Sequence, residues 1–189
     1  MKNKSLASAL LLCIFFLYSF KLDEKVKDWF LAGSNPSEYE IGIVEDSDRK
    51  ENVAYLKSTK SKVKKGFGTI MQSFKSDIYN GKKVKLSGFI KTIDVDNWVG
   101  MWMRVDGDTK RAVSFDNMQD RPIEGTTAWK QYDIILDVPK ESAYISYGVL
   151  LSGPGEVYLD DLTFTVVEED EKSTGRIQLT APSNSDFDK

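Results

Sequence analysis

The sequence predicts an all-β domain, an antiparallel β-sandwich of two sheets. Apolar and polar residues alternate over residues 83–92 and 100–106, so that one face of each stretch would meet a core and the other water. Gly, Pro, Asn and Asp turns separate such stretches at short intervals. After residue 20 no long amphipathic helix is predicted, and residues 77–80 could close one helical turn at most.

About eight or nine short strands are expected in the body, which spans residues 26–167. An opening strand within residues 26–39 ends in a Gly-Ser-Asn-Pro turn. The lysine-rich residues 57–65 are interpreted as a solvated turn, with contact to an anionic surface as the alternative. The remaining strands are predicted at residues 52–58, 66–74, 83–92, 100–106, 112–115, 131–138, 143–152 and 155–164.

The closing strand at residues 155–164 carries the sign of a β-bulge. Val157 and Leu159 alternate with polar neighbours, two adjacent aspartates follow, and Leu162 and Phe164 resume the alternation in the opposite phase. An extra residue in one strand produces such a shift.

Both ends of the chain differ from this body. Residues 1–20 begin M-K-N-K and continue with an uncharged run from residue 5, which predicts an apolar helix of the export-signal type, either cleaved or retained as a signal anchor. We therefore expect a secreted or extracytoplasmic protein, membrane-anchored by residues 5–20 if the helix is retained. Residues 168–189 are predicted to form an acidic flexible tail, with an edge strand at 176–180 as the alternative.

Composition excludes several kinds of chemistry. The chain has no histidine, and its only cysteine, Cys13, lies in the N-terminal apolar run. This removes Ser-His and Cys-His catalysis, conventional zinc sites and internal disulfides from the body. A net charge of −3 makes nucleic acid an unsuitable partner, because acidic surfaces repel phosphate backbones.

Several phrases resemble known modules. These are W-F-L-A-G-S-N-P from Trp29, Y-N-G-K-K-V-K-L-S-G from Tyr79, W-V-G-M-W-M-R-V-D-G from Trp98 and the closing Y-L-D-D-L. In this order they resemble the galactose-binding-like and carbohydrate-binding-module families. The longer phrases also resemble a bacterial domain, of unassigned role, that occurs alone or appended to transcription regulators. The resemblance implies jelly-roll connectivity and a ligand site on a concave sheet face or in edge loops. No helix-turn-helix candidate is present, so a regulator role is not carried over.

The first candidate site is the face that carries Trp102 and Arg104, opposite Met101 and Met103. An exposed indole offers a flat apolar surface to a sugar ring, and a guanidinium donates paired hydrogen bonds to hydroxyls or a carboxylate. The alternative is that Trp102 belongs to the core. Other tryptophans, at positions 98 and 129, are interpreted as packing residues.

The second candidate site is the polar loop before Pro122, within residues 115–129. Its donors and acceptors could bind a ligand, or they could only fasten the loop's own backbone. The residues concerned are Asp116, Asn117, Gln119, Asp120 and Arg121.

The resemblance also implies a possible structural calcium ion at Asp160 and Asp161. Neighbouring strand residues point to opposite faces, so only one aspartate could join such a site unless the bulge turns them together. No other cofactor is expected.

The sequence therefore favours a non-catalytic exported module that binds a carbohydrate or similar polar ligand. One alternative is a structural or protein-interaction domain at the cell surface. Another is a glycosidase or lyase that uses a carboxylate pair such as Asp116 and Glu124. The expected partner is a carbohydrate or a cell-surface molecule, and membrane contact is expected only through the N-terminal segment.

Overall fold

A computed structural model describes residues 26–63, 65–109 and 111–175. These residues form nine strands and two short 3₁₀ helices, and the predicted apolar helix at residues 5–20 lies outside them. The elements are β1 Phe30–Gly33, β2 Tyr39–Asp46, β3 Glu51–Ser58, β4 Phe67–Lys75, β5 Lys82–Gly107, β6 Ala112–Asp116, β7 Ile123–Val138, β8 Ser142–Ser152, β9 Glu156–Val167, and the 3₁₀ helices Pro36–Glu38 and Asp77–Tyr79. Within the described ranges, no helix has the length and apolar content to span a membrane.

All strand pairs are antiparallel, and the long strand β5 belongs to both layers of the sandwich. Its first half pairs with β7 and β9, and its second half, from Trp98 onward, pairs with β8 and, near its end, with β6. One layer therefore contains β1, β4, β8, β6 and the end of β5, and the other contains β7, β9, β3, β2 and the start of β5. A strand that switches sheets in this way folds a single sheet into two packed layers. The predicted antiparallel β-sandwich of jelly-roll type is confirmed.

The strand boundaries differ from the prediction at three places. Residues 83–92 and 100–106 were expected as separate strands, but both lie in β5, which bends where Asp94 has a φ of 48° and the register shifts. Strand β2 was missed, although Tyr39, Ile41 and Ile43 alternate with Glu40 and Gly42, because the alternation ends after five residues where Val44 follows Ile43. Strand β7 begins at Ile123, ahead of the predicted 131, because its first half is polar and lies at a sheet edge.

The core lies between the inner faces of the two layers. Leu86 and Ile90 from one half of β5 and Met101 and Met103 from the other are fully buried there, as the alternation predicts. The bulge is also confirmed. Between Ser87 and Phe89 of β5 the partners on β9 run from Thr163 to Asp160, which leaves one extra residue on β9.

The segment after β9 lies against the sandwich. The backbone N–H of Thr174 donates to the carbonyl of Ile135 at 2.8 Å, and the N–H of Ile135 donates to Thr174 Oγ1 at 2.9 Å. Lys83 Nζ donates to the carbonyls of Glu169 and Glu171, each at 2.6 Å. Residues 168–175, the first eight of the predicted acidic tail, therefore contact the sandwich through these hydrogen bonds. Residues 176–189 lie outside the described part, and flexibility of the tail stays a prediction.

Candidate functional site

An open groove of about 900 Å³ lies on the outer face of β4, β8 and the second half of β5. Its lining combines aromatic rings with polar side chains, which is the composition expected of a small-molecule or sugar site. The rings are those of Phe67, Trp98, Trp102 and Phe115, and the polar or charged groups are those of Lys65, Thr69, Asp96, Asn97, Arg104, Asn117 and Ser152.

Trp102 forms the floor of the groove. The residue is only 8% exposed, and its indole Nε1 donates to Thr69 Oγ1 at 2.8 Å. Trp102 lies on β5 and Thr69 on β4, with β8 between them, so the indole crosses β8 where its partner, Gly148, has no side chain. Thr69 donates in turn to the carbonyl of Val149 at 2.9 Å. The Trp102 ring is therefore buried and also lines the groove, and its contact with a ligand stays a prediction.

Arg104 stands beside this floor with a fixed orientation. Its side chain is 46% exposed, and its Nε and Nη2 atoms lie 3.0 and 2.9 Å from the same oxygen, Oδ2 of Asp106. The Asp106 side chain is only 7% exposed, so the anion that holds the guanidinium is itself fixed by burial. The structure thus places Arg104 and Trp102 next to each other in one groove, as the alternation predicted.

Trp98 lines the same groove, although the sequence interpretation assigned it to packing. Its ring is half-buried and lies beside Gly100, where a Cβ atom would come within 2.8 Å of the ring and 2.4 Å of the Asn117 carbonyl oxygen. The sequence could have indicated this position, because alternate residues of a strand share one face and Trp98 is an even number of positions from Trp102 and Arg104.

The polar loop is fastened mainly by its own ion pairs. Asp116 is buried and accepts hydrogen bonds from the Met118 backbone at 2.8 Å and from Arg121 Nη2 at 2.6 Å. Arg121 also donates to Asp120 at 2.9 Å. Burial lowers the pKa of Arg121, but these two carboxylates outweigh it and raise the pKa above its usual value. The loop thus has the internal contacts expected if its polar side chains hold the loop's own backbone.

Of the candidate residues in the polar loop, only some line the groove. Asn117 lines it, whereas Asp116, Gln119 and Asp120 line, with Asn117, a separate cavity of about 280 Å³. Asp116 is ion-paired with Arg121, and Glu124 is exposed to water. These positions do not favour the carboxylate pair Asp116 and Glu124 as the acid and base of a glycosidase.

The two aspartates of the bulge, Asp160 and Asp161, contact Arg49, which lies in the turn between β2 and β3 of the same layer. Arg49 Nε lies 2.6 Å from Asp160 Oδ2 and 3.3 Å from Glu51 Oε1, and its Nη2 contacts Asp161. The three carboxylates each have an oxygen within 4.8 Å of the others, and the bulge turns both aspartates toward one cation. That cation is a guanidinium, which a calcium ion would have to displace. The calcium site remains a prediction that this arrangement does not favour.

The outer face of the other layer is covered by the turn between β2 and β3. The Arg49 guanidinium lies 4.7 Å from the ring centroid of Phe89 and 5.4 Å from that of Trp129. Trp129 Nε1 donates to Asp46 Oδ1 at 3.1 Å, so Trp129 packs as the sequence predicted. The open aromatic groove and this covered face therefore lie on opposite sides of the sandwich.

One relative links the chain to transcription regulators. No family model matches the sequence. An uncharacterized HTH-type transcriptional regulator, YbfP of Bacillus subtilis (strain 168), is 47% identical over 154 residues, which cover 81% of this chain and 52% of the regulator. The chain thus spans about half the length of this relative, and the resemblance to a domain appended to regulators is confirmed for that half.

Solved structures show which fold the chain shares. The xylan-binding domain CBM22-1 of Paenibacillus barcinonensis Xyn10C superposes with a TM-score of 0.55 at 11% identity, covering 76% of this chain and 88% of that domain. The enzymatically active domain of tailspike protein 4 from bacteriophage CBA120 gives a TM-score of 0.58 at 12% identity, covering 76% of this chain but 20% of that one. The chain therefore has the β-sandwich fold of carbohydrate-binding modules.

Proposed function

We propose that this protein is a non-catalytic carbohydrate-binding module whose ligand lies in the groove of β4, β8 and β5. The observation that carries the proposal is the convergence of aromatic rings and an oriented guanidinium in one open groove. This support comes from the groove of this protein itself. The distant structural relatives support the fold alone.

The groove has the two elements that sugar recognition needs. The half-buried Trp98 ring and the exposed Phe67 ring offer apolar surfaces to the C–H face of a pyranose. Arg104, Asn117 and Ser152 supply hydrogen-bonding groups for its hydroxyls. A volume of about 900 Å³ accommodates a ligand longer than one sugar ring.

Export of the module is part of this proposal. It rests on the sequence of residues 1–20, which lie outside the described residues. The ligand would then be an extracytoplasmic or cell-surface glycan, and the N-terminal segment would be the only contact with the membrane.

Trp98→Ala should lower glycan affinity about tenfold or more, because it removes a stacking surface from the groove wall. Affinity electrophoresis of the full chain through gels that contain neutral and acidic plant, fungal and bacterial polysaccharides measures this effect. Tyr144→Ala is the matched control, since Tyr144 is an aromatic residue, 43% exposed, outside the groove. Its affinity should equal that of the unchanged protein.

Retardation by none of these polysaccharides would contradict the proposal. Equal weakening by Trp98→Ala and Tyr144→Ala would contradict the groove as the binding site. The first result would favour the alternative of a structural or protein-interaction domain, in which the Asp116–Arg121 ion pair only stabilises a loop.

A further inference from the structure

We infer that Arg104 makes the groove selective for carbohydrates that carry a carboxylate, such as uronic-acid oligosaccharides. The inference rests on the proposed function and adds the chemical class of the ligand.

The geometry of Arg104 leaves one edge of its guanidinium available. Asp106 Oδ2 takes the side edge, formed by Nε and Nη2. Nη1 has no hydrogen-bond or ion-pair partner among the described residues, so the end edge, formed by the two Nη atoms, remains for a ligand. A guanidinium edge matches both oxygens of a carboxylate in parallel hydrogen bonds.

Burial fixes this edge in place. Asp106 is largely removed from water, and its other oxygen, Oδ1, has no hydrogen-bond partner among the described residues. Rotating Arg104 away would leave a buried carboxylate without the one ion-pair partner that it has among the described residues, which is costly. Asp106 is therefore a positioning residue that holds Arg104 toward the groove.

The charges in and beside the lining balance one another. Arg104 and Lys65 are the cations of the groove, and Asp96 is the only acidic residue that lines it within the described part of the chain. Nearby, Asp116 is neutralised by Arg121. Asp106 likewise balances Arg104, and Asp96 offsets Lys65, so the preference for an anion rests on the available guanidinium edge and not on a net positive charge of the groove.

The test compares each acidic polysaccharide with its own carboxyl-reduced form, in which the uronic acid has become a neutral sugar of the same linkage. Polygalacturonate and a glucuronic-acid-substituted xylan serve as probes in affinity electrophoresis of the full chain. The acidic form should bind about tenfold more tightly, the gain of one paired charge-assisted contact, and added salt should reduce the difference.

Arg104→Gln should remove this preference, measured as the ratio of the affinities for the acidic and the reduced form within the same variant. Its affinity for the reduced form should fall only by the hydrogen bonds that the guanidinium donates to hydroxyls. Arg104→Lys should keep part of it, because the charge remains and the paired geometry does not. Thermal unfolding checks that both variants fold. Arg104→Gln should lower the melting temperature more than Arg104→Lys, because it leaves the buried Asp106 carboxylate without a cationic partner. Trp98→Ala should weaken both forms equally.

Equal binding of acidic and reduced forms by the unchanged protein would overturn the inference and leave the proposed function standing. A preference that persists in Arg104→Gln would also overturn it. Failure of the unchanged protein to bind either form of any probe would contradict the proposed function as well.

Discussion

Replacing Gly148 with alanine should destabilise the protein by about 3 kcal/mol, because the new methyl group would enter the backbone of the neighbouring strand. A Cβ atom at Gly148 would lie 2.1 Å from the Ile70 carbonyl oxygen and 2.9 Å from the Met71 Cα atom on β4. Neither atom belongs to a side chain that could turn away. The strands beneath the Trp102 indole would have to separate, so we also expect weaker ligand binding. Denaturant unfolding measures the loss.

Gly107→Ala is the matched control for Gly148→Ala. Its Cβ atom would have ordinary contacts, with Val113 Cγ1 at 3.6 Å and the Glu141 carbonyl oxygen at 4.0 Å. The same substitution in the same layer should therefore change the free energy of unfolding by less than about 1 kcal/mol. Equal losses at the two positions would show that close packing of β8 on β4 is not what Gly148 provides.

Asp46→Ala should also cost about 3 kcal/mol, because it removes the centre of a buried polar network. Asp46 accepts hydrogen bonds from the backbone N–H groups of Asp48 and Arg49, each at 3.0 Å, and from Trp129 Nε1 at 3.1 Å. It also forms an ion pair of 2.9 Å with Lys91. Without it, the Trp129 N–H loses its acceptor and the turn that covers this face loses its anchor. Denaturant unfolding again measures the difference.

Asp48→Ala is the control that distinguishes the effect of the buried hydrogen bonds of Asp46 from the effect of its charge on Lys91. Asp48 contacts the same Lys91 ammonium at the same 2.9 Å, but its side chain is 65% exposed, whereas that of Asp46 is 7% exposed. Exposed ion pairs contribute below about 1 kcal/mol, so Asp48→Ala should have a small effect. If the two alanine variants were equally unstable, the ammonium charge would matter more than the buried hydrogen bonds.

The same carboxylate should make stability depend on pH. Burial raises the pKa of Asp46, but the bonds from Lys91, the Arg49 backbone and Trp129 outweigh it and lower the pKa to about 2 from its ordinary 3.8. A lowered folded-state pKa stabilises the fold above the ordinary value, and this contribution is lost as the pH falls from about 4 to about 2. The melting temperature of Asp46→Ala should lack this component, whereas that of Asp48→Ala should retain it.

Local signals in the sequence were sufficient for the antiparallel sandwich, whereas its jelly-roll connectivity was expected from the resemblance to carbohydrate-binding modules. Alternation of side chains identified the inner faces of β5, and the double aspartate identified the bulge in β9. The continuity of β5 could not be predicted, because the turn-like residues 93–97 are held in a strand by pairing with β7 and β9. That pairing depends on residues far away in the chain, which single-sequence periodicity does not detect.

The candidate site was only partly predictable. The alternation of side chains along a strand placed Trp102 and Arg104 on one face. The same alternation could have added Trp98, which lies four positions before Trp102. The roles of Asp106 and Gly148 depend on contacts between strands, namely an ion pair on the groove side and a backbone approach from β4. For the polar loop the sequence left binding and self-fastening both open, because composition cannot distinguish a side chain that contacts a ligand from one that contacts Arg121.

Amide hydrogen exchange of the full chain, with and without the polysaccharide fragment that binds most tightly, tests the groove most directly. The account predicts slower exchange in the ligand-bound state along the strands that line the groove, at residues 66–69, 98–104 and 150–153. Exchange around Trp129 and Tyr158, on the covered face of the other layer, should not change. Protection confined to that covered face, or to the 116–121 loop alone, would contradict the groove as the site of carbohydrate binding.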